Sequence, residues 1–268
     1  MISQKGKTFL KKILPAFLTR FGAGLLYGWH GNFSSWDEAK KRCAGYDSKI
    51  IHEKVKTSLL KVKEGRAAYE RDSVLFNEVQ YTYPVLSGLM WIAALNNGKL
   101  NVMDFGGSLG STYFQNRFFL ESLSGVNWCI VEQSRFVDSG IESFADKRLH
   151  FFYTIEECLK SYKIDTVLLS SVLQYIEEPY RLLDQIKSYG INFLIIDRTP
   201  FINADDRITI QKVNPEIYRG SYPCWFFNEK KFISSLSSGY KLVLKFDALD
   251  KANIPSKFKG FIFQKVNM

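Results

Sequence analysis

The stretch Leu100–Thr112, LNVMDFGGSLGST, decides the fold predicted for this chain. Apolar residues lead to an acidic residue, a turn with three glycines and then two hydroxyl residues, which predicts a buried strand, a tight turn and a helix start. Glycine has no Cβ, so the backbone N–H groups of such a turn can approach a ligand closely. Asp104 at the end of the strand disfavours a phosphate and favours a cationic or hydroxyl-rich ligand.

After residue 99 the pattern alternates between strands and helices. The predicted strands span 100–104, 127–132, 149–153, 165–170, 191–197, 240–247 and 260–266. Helices fit between the first six, which predicts a parallel sheet with right-handed crossovers. The last two strands are joined by a short connection and are expected to form an antiparallel hairpin. Ligands of such sheets bind at the carboxyl ends of the strands.

Residues 1–98 have a different character and are predicted to form a mainly helical cap. Helices are expected over 35–44, 48–64 and 73–96, and the glycine- and aromatic-rich stretch 22–33 resembles an irregular loop. The predicted fold class is therefore α/β: a Rossmann-like seven-stranded sheet with an antiparallel C-terminal hairpin over residues 99–268, plus this N-terminal cap.

The net charge of +9 is concentrated at the front of the chain. Residues 1–72 contain 15 Lys and Arg against 7 Asp and Glu, so they carry +8. Such a region suits a membrane surface, a nucleic acid or a phosphorylated substrate. The alternative is a solvated basic face.

Residues 5–21 show apolar and basic residues at helical spacing, with Pro15 as an interruption. An amphipathic helix of this kind can lie on a membrane surface, or it can pack on the main domain. The N-terminus lacks the h-region and cleavage site of a signal peptide, and no apolar run approaches bilayer length. The cysteines are scattered without a C-x-x-C pair, which favours reduced thiols. We therefore expect a cytoplasmic protein with peripheral membrane contact through residues 5–21 as an option.

A second acidic residue ends the second strand. Glu132 follows the apolar run Trp128–Val131, and a carboxylate at this place can accept both hydroxyls of a ribose. Together with the glycine turn, it predicts a cofactor that contains a nucleoside. The fourth strand brings to the same edge Ser170, Ser171, Gln174 and Tyr175, and the fifth strand brings Asp197, Arg198, Thr199 and Pro200.

Five segments resemble the successive motifs of class I S-adenosylmethionine-dependent methyltransferases. They are DFGGSLG, VEQ, DTVLLSSVLQYIEEP, FLIIDRTPF and the terminal GYKL…GFIFQK hairpin. Upstream, GWHGNFSSWDEAKKRCAGYD and AAYERDSVLFNEVQYTYPVL resemble a narrower bacterial group of methyltransferases often associated with surface-polysaccharide biosynthesis. The resemblance implies S-adenosylmethionine as cofactor, S-adenosylhomocysteine as product and a sugar, a glycan or a phosphorylated small molecule as acceptor.

The resemblance also assigns cofactor-binding roles. Glu132 would hold the ribose, with Gln133 beside the adenine, and Phe152, Tyr153 or Thr154 would lie near the adenine. The remaining expected cofactor-binding residues are Asp104, Gly106, Gly107, Gly110, Ser111, Thr112, Ser170 and Gln174. Ser108 stands where the family motif usually has its middle glycine.

A dinucleotide dehydrogenase is the structural rival. Its fingerprint is G-x-G-x-x-G, and the spacing of Gly106, Gly107 and Gly110 does not match it. Asp104 would also repel a pyrophosphate. The pattern therefore favours a methyltransferase.

Catalytic candidates are few. His30 in the GWHGNF stretch and Glu70 are candidate bases, although His30 can equally be an ordinary structural histidine. Arg198 either binds a phosphate or carboxylate of the substrate or forms an ion pair with Asp197 or Asp205. No H-E-x-x-H or paired-acid motif predicts a metal.

Three functions follow from these features. The first is O-methylation of a sugar or sugar-linked precursor, with residues 201–225 and the N-terminal part covering the substrate. The second is a nucleic-acid methyltransferase, which only the charge supports, so a nucleic-acid partner is not expected. The third is a binding module for S-adenosylmethionine without catalytic activity.

Overall fold

The computed structural model describes residues 27–46, 48–71, 73–215 and 217–266. The amphipathic segment predicted over 5–21 lies outside these ranges. No helix in the described part of the chain has the length and apolar character needed to cross a bilayer.

The N-terminal part contains both helices and strands. Its elements are β1 (Gly28–Phe33), α1 (Trp36–Lys41), β2 (Gly45–Tyr46), α2 (Ser48–Lys63), β3 (Tyr69–Arg71), β4 (Val74–Phe76) and α3 (Tyr83–Leu95).

The remainder of the chain alternates as expected through its first five strands, but two further strands follow within residues 201–228, where no strand was expected. Its elements are β5 (Lys99–Phe105), α4 (Ser111–Leu120), β6 (Gly125–Val131), α5 (Ser134–Ser143), β7 (Leu149–Phe152), α6 (Ile155–Ser161), β8 (Thr166–Ser170), a short 3₁₀ helix (Leu173–Tyr175), α7 (Pro179–Ser188), β9 (Phe193–Ile202), β10 (Arg207–Lys212), β11 (Gly220–Asn228), α8 (Glu229–Leu236), β12 (Tyr240–Asp247) and β13 (Lys257–Lys265).

Seven strands form the core of the sheet in the order β7-β6-β5-β8-β9-β13-β12. The first five are mutually parallel, whereas β13 runs antiparallel to β9 and pairs with β12 as an antiparallel hairpin. This arrangement confirms the predicted α/β class, with its Rossmann-like sheet and C-terminal hairpin.

Four further strands extend the sheet beyond the seven. β9 runs past the end of β8, and β11 pairs with its last residues, Phe201 and Ile202. β10 and then β1 follow, and β2 adds to β11. The expectation of an irregular loop over 22–33 was therefore wrong for residues 28–33, because β1 pairs with a strand almost 180 residues away. Such a non-local partner leaves no mark in the local pattern.

The helix predicted over 73–96 begins only at Tyr83. Residues 74–76 form β4 and pair with β3 instead. Pro84 lies in the first turn of α3, where its fixed φ and missing N–H cost little. The apolar residues before Pro84 therefore belong to a hairpin and not to the helix.

Apolar side chains cover both faces of the sheet. We call the face packed against α2, α3, α4 and α5 the front face; it carries Val102, Ile130, Leu168 and Ile195. The other face packs against α6, α7 and α8. Successive strand residues point to opposite faces, so the residue two places beyond each of these four also faces forward.

We predict that Gly260→Ala destabilises the fold by about 2 kcal/mol. Gly260 lies in β13, and a Cβ there would overlap the ring of Phe246 and lie 2.8 Å from the Ile196 carbonyl oxygen. Urea denaturation measures the loss. Gly239→Ala is the matched control, since nothing lies within 4 Å of its Cβ position. Equal stabilities of the two variants would contradict this packing.

Candidate cofactor site at the carboxyl edge of the sheet

The turn after β5 alternates in backbone conformation. Gly106, Ser108 and Gly110 have φ values of +72°, +56° and +103°. Glycine adopts this left-handed region without penalty, whereas an L residue there costs roughly 1–2 kcal/mol. Ser108 thus occupies a place that suits glycine, as its position in the motif predicts.

Gly107 lies directly over Asp104. A Cβ on Gly107 would be 2.5 Å from the Asp104 carboxyl carbon, so only glycine lets the turn close over this side chain. Asp104 is 1% exposed, and its Oδ2 accepts a hydrogen bond of 3.0 Å from the indole N–H of Trp128. The carboxylate therefore supports the turn from below and leaves the backbone of the turn to meet a ligand.

Burial raises the pKa of Asp104 to about 7. The hydrogen bond from Trp128 acts against this shift, and the nearby charge of Glu132 adds to it. The two carboxylates are thus electrostatically coupled at the edge of the sheet, and a cation between them would relieve their repulsion.

Glu132 stands at the end of β6 and is half-buried. Its Oε2 accepts a hydrogen bond of 2.6 Å from the backbone N–H of Gln133. Burial raises the pKa of Glu132, while hydrogen bonds from the backbone N–H groups of Gln133 and Ser108 act in the opposite direction. This carboxylate therefore faces the glycine turn, as a ribose-binding residue would.

Helix α4 begins directly after the turn. Gly110 is its N-cap and offers no side-chain cap, so the first backbone N–H groups are open to an anionic group. Ser111 Oγ donates a 2.6 Å hydrogen bond to Oε2 of Glu70. Glu70 is 1% exposed, and its Oε1 accepts from the backbone N–H of Ser73 at 2.6 Å. The structure therefore brings Glu70 to the start of α4, directly after the glycine turn. Thr112 follows Ser111 in the first turn of this helix.

The expected adenine side is open. Gln133 is exposed, and Tyr153 is 47% exposed with its hydroxyl donating to Asp138 at 2.7 Å. This hydrogen bond raises the pKa of the Tyr153 phenol. Thr154 caps α6 by accepting from the Glu157 N–H, so its side chain is occupied by the helix.

Ser170 is the last residue of β8, and Gln174 lies in the 3₁₀ helix that follows it. Ser170 Oγ donates to Asp197 Oδ2 at 3.2 Å, and Gln174 Nε2 donates to Ser171 Oγ at 3.1 Å. Asp197 is 2% exposed, and burial raises its pKa to about 6. The sequence places Asp197 at this edge but assigns it no role beyond an ion pair with Arg198, although its place at the end of a parallel strand was a signal.

His30 lies on the face of the added strands that points away from Tyr175. It pairs with Ile210 in β10, so these two side chains share one face of the sheet. The opposite face carries Gln211, whose side-chain oxygen accepts a 2.8 Å hydrogen bond from the Tyr175 hydroxyl. His30 Nε2 is buried without a hydrogen-bond partner among the described residues. The irregular loop expected around His30 was wrong because residues 28–33 form a strand.

Arg198 forms an ion pair, but with a different acid from those expected. Its Nε lies 3.1 Å from both oxygens of Asp250, and one terminal nitrogen lies 3.0 Å from Oδ1. The ion pair was expected with Asp197 or Asp205, but it forms with Asp250, which lies in the connection between β12 and β13, and β13 runs beside β9.

The four polar residues at the strand ends share the front face. Asp104, Glu132, Ser170 and Asp197 each lie two residues beyond an apolar residue of that face. Such a row can bind hydroxyl groups at one end and a positive charge in the middle. Within the ranges that the structure describes, no three His, Cys, Asp or Glu side chains are grouped as metal ligands.

No protein-family model matches the chain, and no curated protein matches its sequence. Solved structures are similar in fold. The N-terminal domain of EvdMO1, solved with S-adenosylhomocysteine and D-fucose, is 12% identical, with 83% of this chain and 98% of that chain covered and a TM-score of 0.48.

Two further structures are similar to a comparable degree. Magnesium protoporphyrin IX methyltransferase from Synechocystis PCC 6803 is 15% identical, with coverages of 83% of this chain and 99% of that chain and a TM-score of 0.46. A Burkholderia thailandensis 1,6-didemethyltoxoflavin-N1-methyltransferase is 13% identical, with coverages of 84% and 95% and a TM-score of 0.46.

We predict that Asp104→Asn weakens the pH dependence of stability. The folded-state pKa of about 7 lies above the unfolded value of roughly 3.9. The native protein therefore binds more protons, and its free energy of unfolding falls as pH rises between those values. The variant lacks this loss, so it should gain about 2 kcal/mol relative to wild type between pH 5 and pH 8.

Urea denaturation at both pH values measures this gain. Asp184→Asn on the exposed surface of α7 is the control and should follow wild type. Parallel pH profiles for wild type and Asp104→Asn would contradict the assigned environment of Asp104.

Proposed function

We propose that this chain is an S-adenosylmethionine-dependent methyltransferase. The observation that carries the proposal is the pair Asp104 and Glu132, which flank a glycine turn on one face of adjacent strands. Three features fit the cofactor: the glycine turn that closes over the Asp104 carboxylate, the open N-terminus of α4 and the half-buried carboxylate at the end of β6.

Each feature has a part of the cofactor to hold. The backbone of Gly106, Gly107 and Gly110, with Ser111 and Thr112 at the start of α4, would bind the amino-acid part. Glu132 would accept hydrogen bonds from the ribose, and Gln133 and Tyr153 would border the adenine. When bound, S-adenosylmethionine supplies a methyl group on a positively charged sulfur, and S-adenosylhomocysteine is the product.

The acceptor that we propose is a hydroxyl group of a sugar or of a sugar-linked precursor of a surface polysaccharide. A cleft of about 510 Å³ lies between α2, β4 and the segment before β11. Hydroxyl, amide and charged side chains line most of it, with two apolar residues between them. The lining residues are Glu53, Lys54, Thr57, Ser58, Ser73, Val74, Asn214 and Ile217.

The cleft adjoins the glycine turn. Ser73 in its wall donates its backbone N–H to Glu70, and the other oxygen of that carboxylate holds Ser111 at the start of α4. The buried side chain of Glu70 thus links the cleft to the start of α4 beside the glycine turn, which supports an acceptor site here. Arg198 is held by Asp250, so a role in binding a charged acceptor requires that ion pair to open.

The cellular setting is part of the proposal. All four cysteines are free thiols, which suits a reducing compartment, and we place the reaction in the cytoplasm. The basic, apolar pattern of residues 5–21 supports contact with a membrane surface, and residues 1–98 as a whole would form the cover of the acceptor site. A nucleic-acid acceptor has only the net charge in its favour.

We predict that Glu132→Ala lowers the affinity for S-adenosylhomocysteine at least about tenfold, because hydrogen bonds to a charged group are worth roughly 1.5–3 kcal/mol each. Isothermal titration calorimetry measures the change. Glu121→Ala, an exposed acid paired with Arg117 on α4, should bind like wild type. Unchanged affinity in Glu132→Ala would remove its ribose-binding role, and a wild-type protein that does not bind would reject the cofactor.

We predict that tritium from methyl-labelled S-adenosylmethionine enters a glycan fraction of the source cell and is released by acid hydrolysis as a methylated monosaccharide. Heat-treated protein is the control. Label found only in RNA would make the chain a nucleic-acid methyltransferase. Cofactor binding without label in any fraction would favour a binding module.

A further inference from the structure

Asp197 belongs to the front-face row but takes no part in the cofactor cradle. It pairs directly with Ser170 across β8 and β9, and the Ser170 hydroxyl donates to its Oδ2. A continuous line of paired residues runs across β6, β5, β8 and β9. Glu132 and Asp197 each lie two residues beyond this line, so they stand at the same height along the strands. Three strand spacings separate them, about 14 Å.

Two buried side-chain oxygen atoms near the ends of β8 and β9 lack a donor in the part of the chain that the structure describes. Asp197 Oδ1 and Gln174 Oε1 have no hydrogen-bond partner among the described residues, and both side chains are at least 98% buried. Gln174 Nε2 donates to the carbonyl oxygen of Arg198, the residue after Asp197, which ties the two side chains to one place. Buried acceptors without a donor are costly, so a ligand with hydroxyl groups fits them.

The backbone is strained at the same level. Ser171 and Arg198 follow the paired residues Ser170 and Asp197, and their φ values are +55° and +51°. Strain of this kind in residues other than glycine concentrates at functional sites. The buried oxygen atoms without a hydrogen-bond donor and the strained backbone therefore both lie at the ends of β8 and β9.

We propose that Asp197 is the catalytic base of the reaction proposed above. The acceptor hydroxyl donates to Oδ1 and its oxygen attacks the methyl carbon. The new O–C bond forms as the C–S bond breaks, the electron pair stays on sulfur as a neutral thioether, and the proton moves to Asp197. This inference rests on the proposed function and names the residue that faces its reacting centre.

The position of Asp197 has a consequence for cofactor binding. A carboxylate beside the reacting centre attracts the positive sulfur of S-adenosylmethionine but not the neutral sulfur of S-adenosylhomocysteine. Burial raises the pKa of Asp197 to about 6, with Asp250 adding to this and Arg198 and Ser170 opposing it, so Asp197 is ionised at pH 8. The preference for the charged cofactor is therefore measurable without an acceptor.

Calorimetry at pH 8 with S-adenosylmethionine and S-adenosylhomocysteine tests the inference on wild type and Asp197→Asn. We expect the variant to bind S-adenosylmethionine at least about fivefold more weakly and S-adenosylhomocysteine unchanged. Asp165→Asn is the matched control, since Asp165 is 9% exposed and lies at the opposite end of β8, bonded to Asn101. It should keep the wild-type ratio.

An unchanged ratio in Asp197→Asn would overturn the inference while leaving the proposed function standing, whereas a wild-type protein that binds neither compound would overturn the proposed function itself. With methyl-labelled S-adenosylmethionine and the glycan fraction as substrates, the variant should transfer methyl about 100-fold more slowly; a wild-type rate would also overturn the inference. If Asp197→Asn does not fold, Asp197→Ser gives the same comparison.

Discussion

The closure of the glycine turn over the Asp104 carboxylate is the constraint on which the candidate site depends. Gly107 has to lack a side chain because the carboxylate lies where its Cβ would be, and Gly106 has to lack one because Val172 occupies that space. Trp128 holds the carboxylate from β6. The turn is therefore shaped jointly by β5, β6 and the segment after β8.

Strand alternation turns this local constraint into a site. Because the four parallel strands are in register, Asp104, Glu132, Ser170 and Asp197 all face α2 to α5 at the same edge. Acidic groups at both ends of the row, with the open start of α4 between them and the solvent, suit a ligand with hydroxyl groups and a positive centre. The register of the strands determines where these charged side chains lie. Motifs within one segment of the sequence therefore reveal only part of the arrangement.

The sequence predicted those parts of the molecule that depend on neighbours along the chain. The glycine turn, the strand before it and Glu132 could be inferred because strand periodicity, turn residues and an acidic strand end are local signals. β1, the partner of Arg198 and the environment of His30 depend on pairings across 50 to 180 residues. Asp197 was visible as a strand end, but its unpartnered oxygen became apparent only from packing.

The strands added beyond β9 close one side of the candidate site. β11 continues along β9 where β8 has ended, and the Trp225 indole donates to the Ile176 carbonyl while Tyr175 donates to Gln211. These bonds fasten the extension to the 3₁₀ helix that carries Gln174, so the end of β8 is closed on that side by strands. In the described part of the chain, the polar cleft lies over α2 and the β3–β4 hairpin, where Glu70 is hydrogen-bonded to the start of α4.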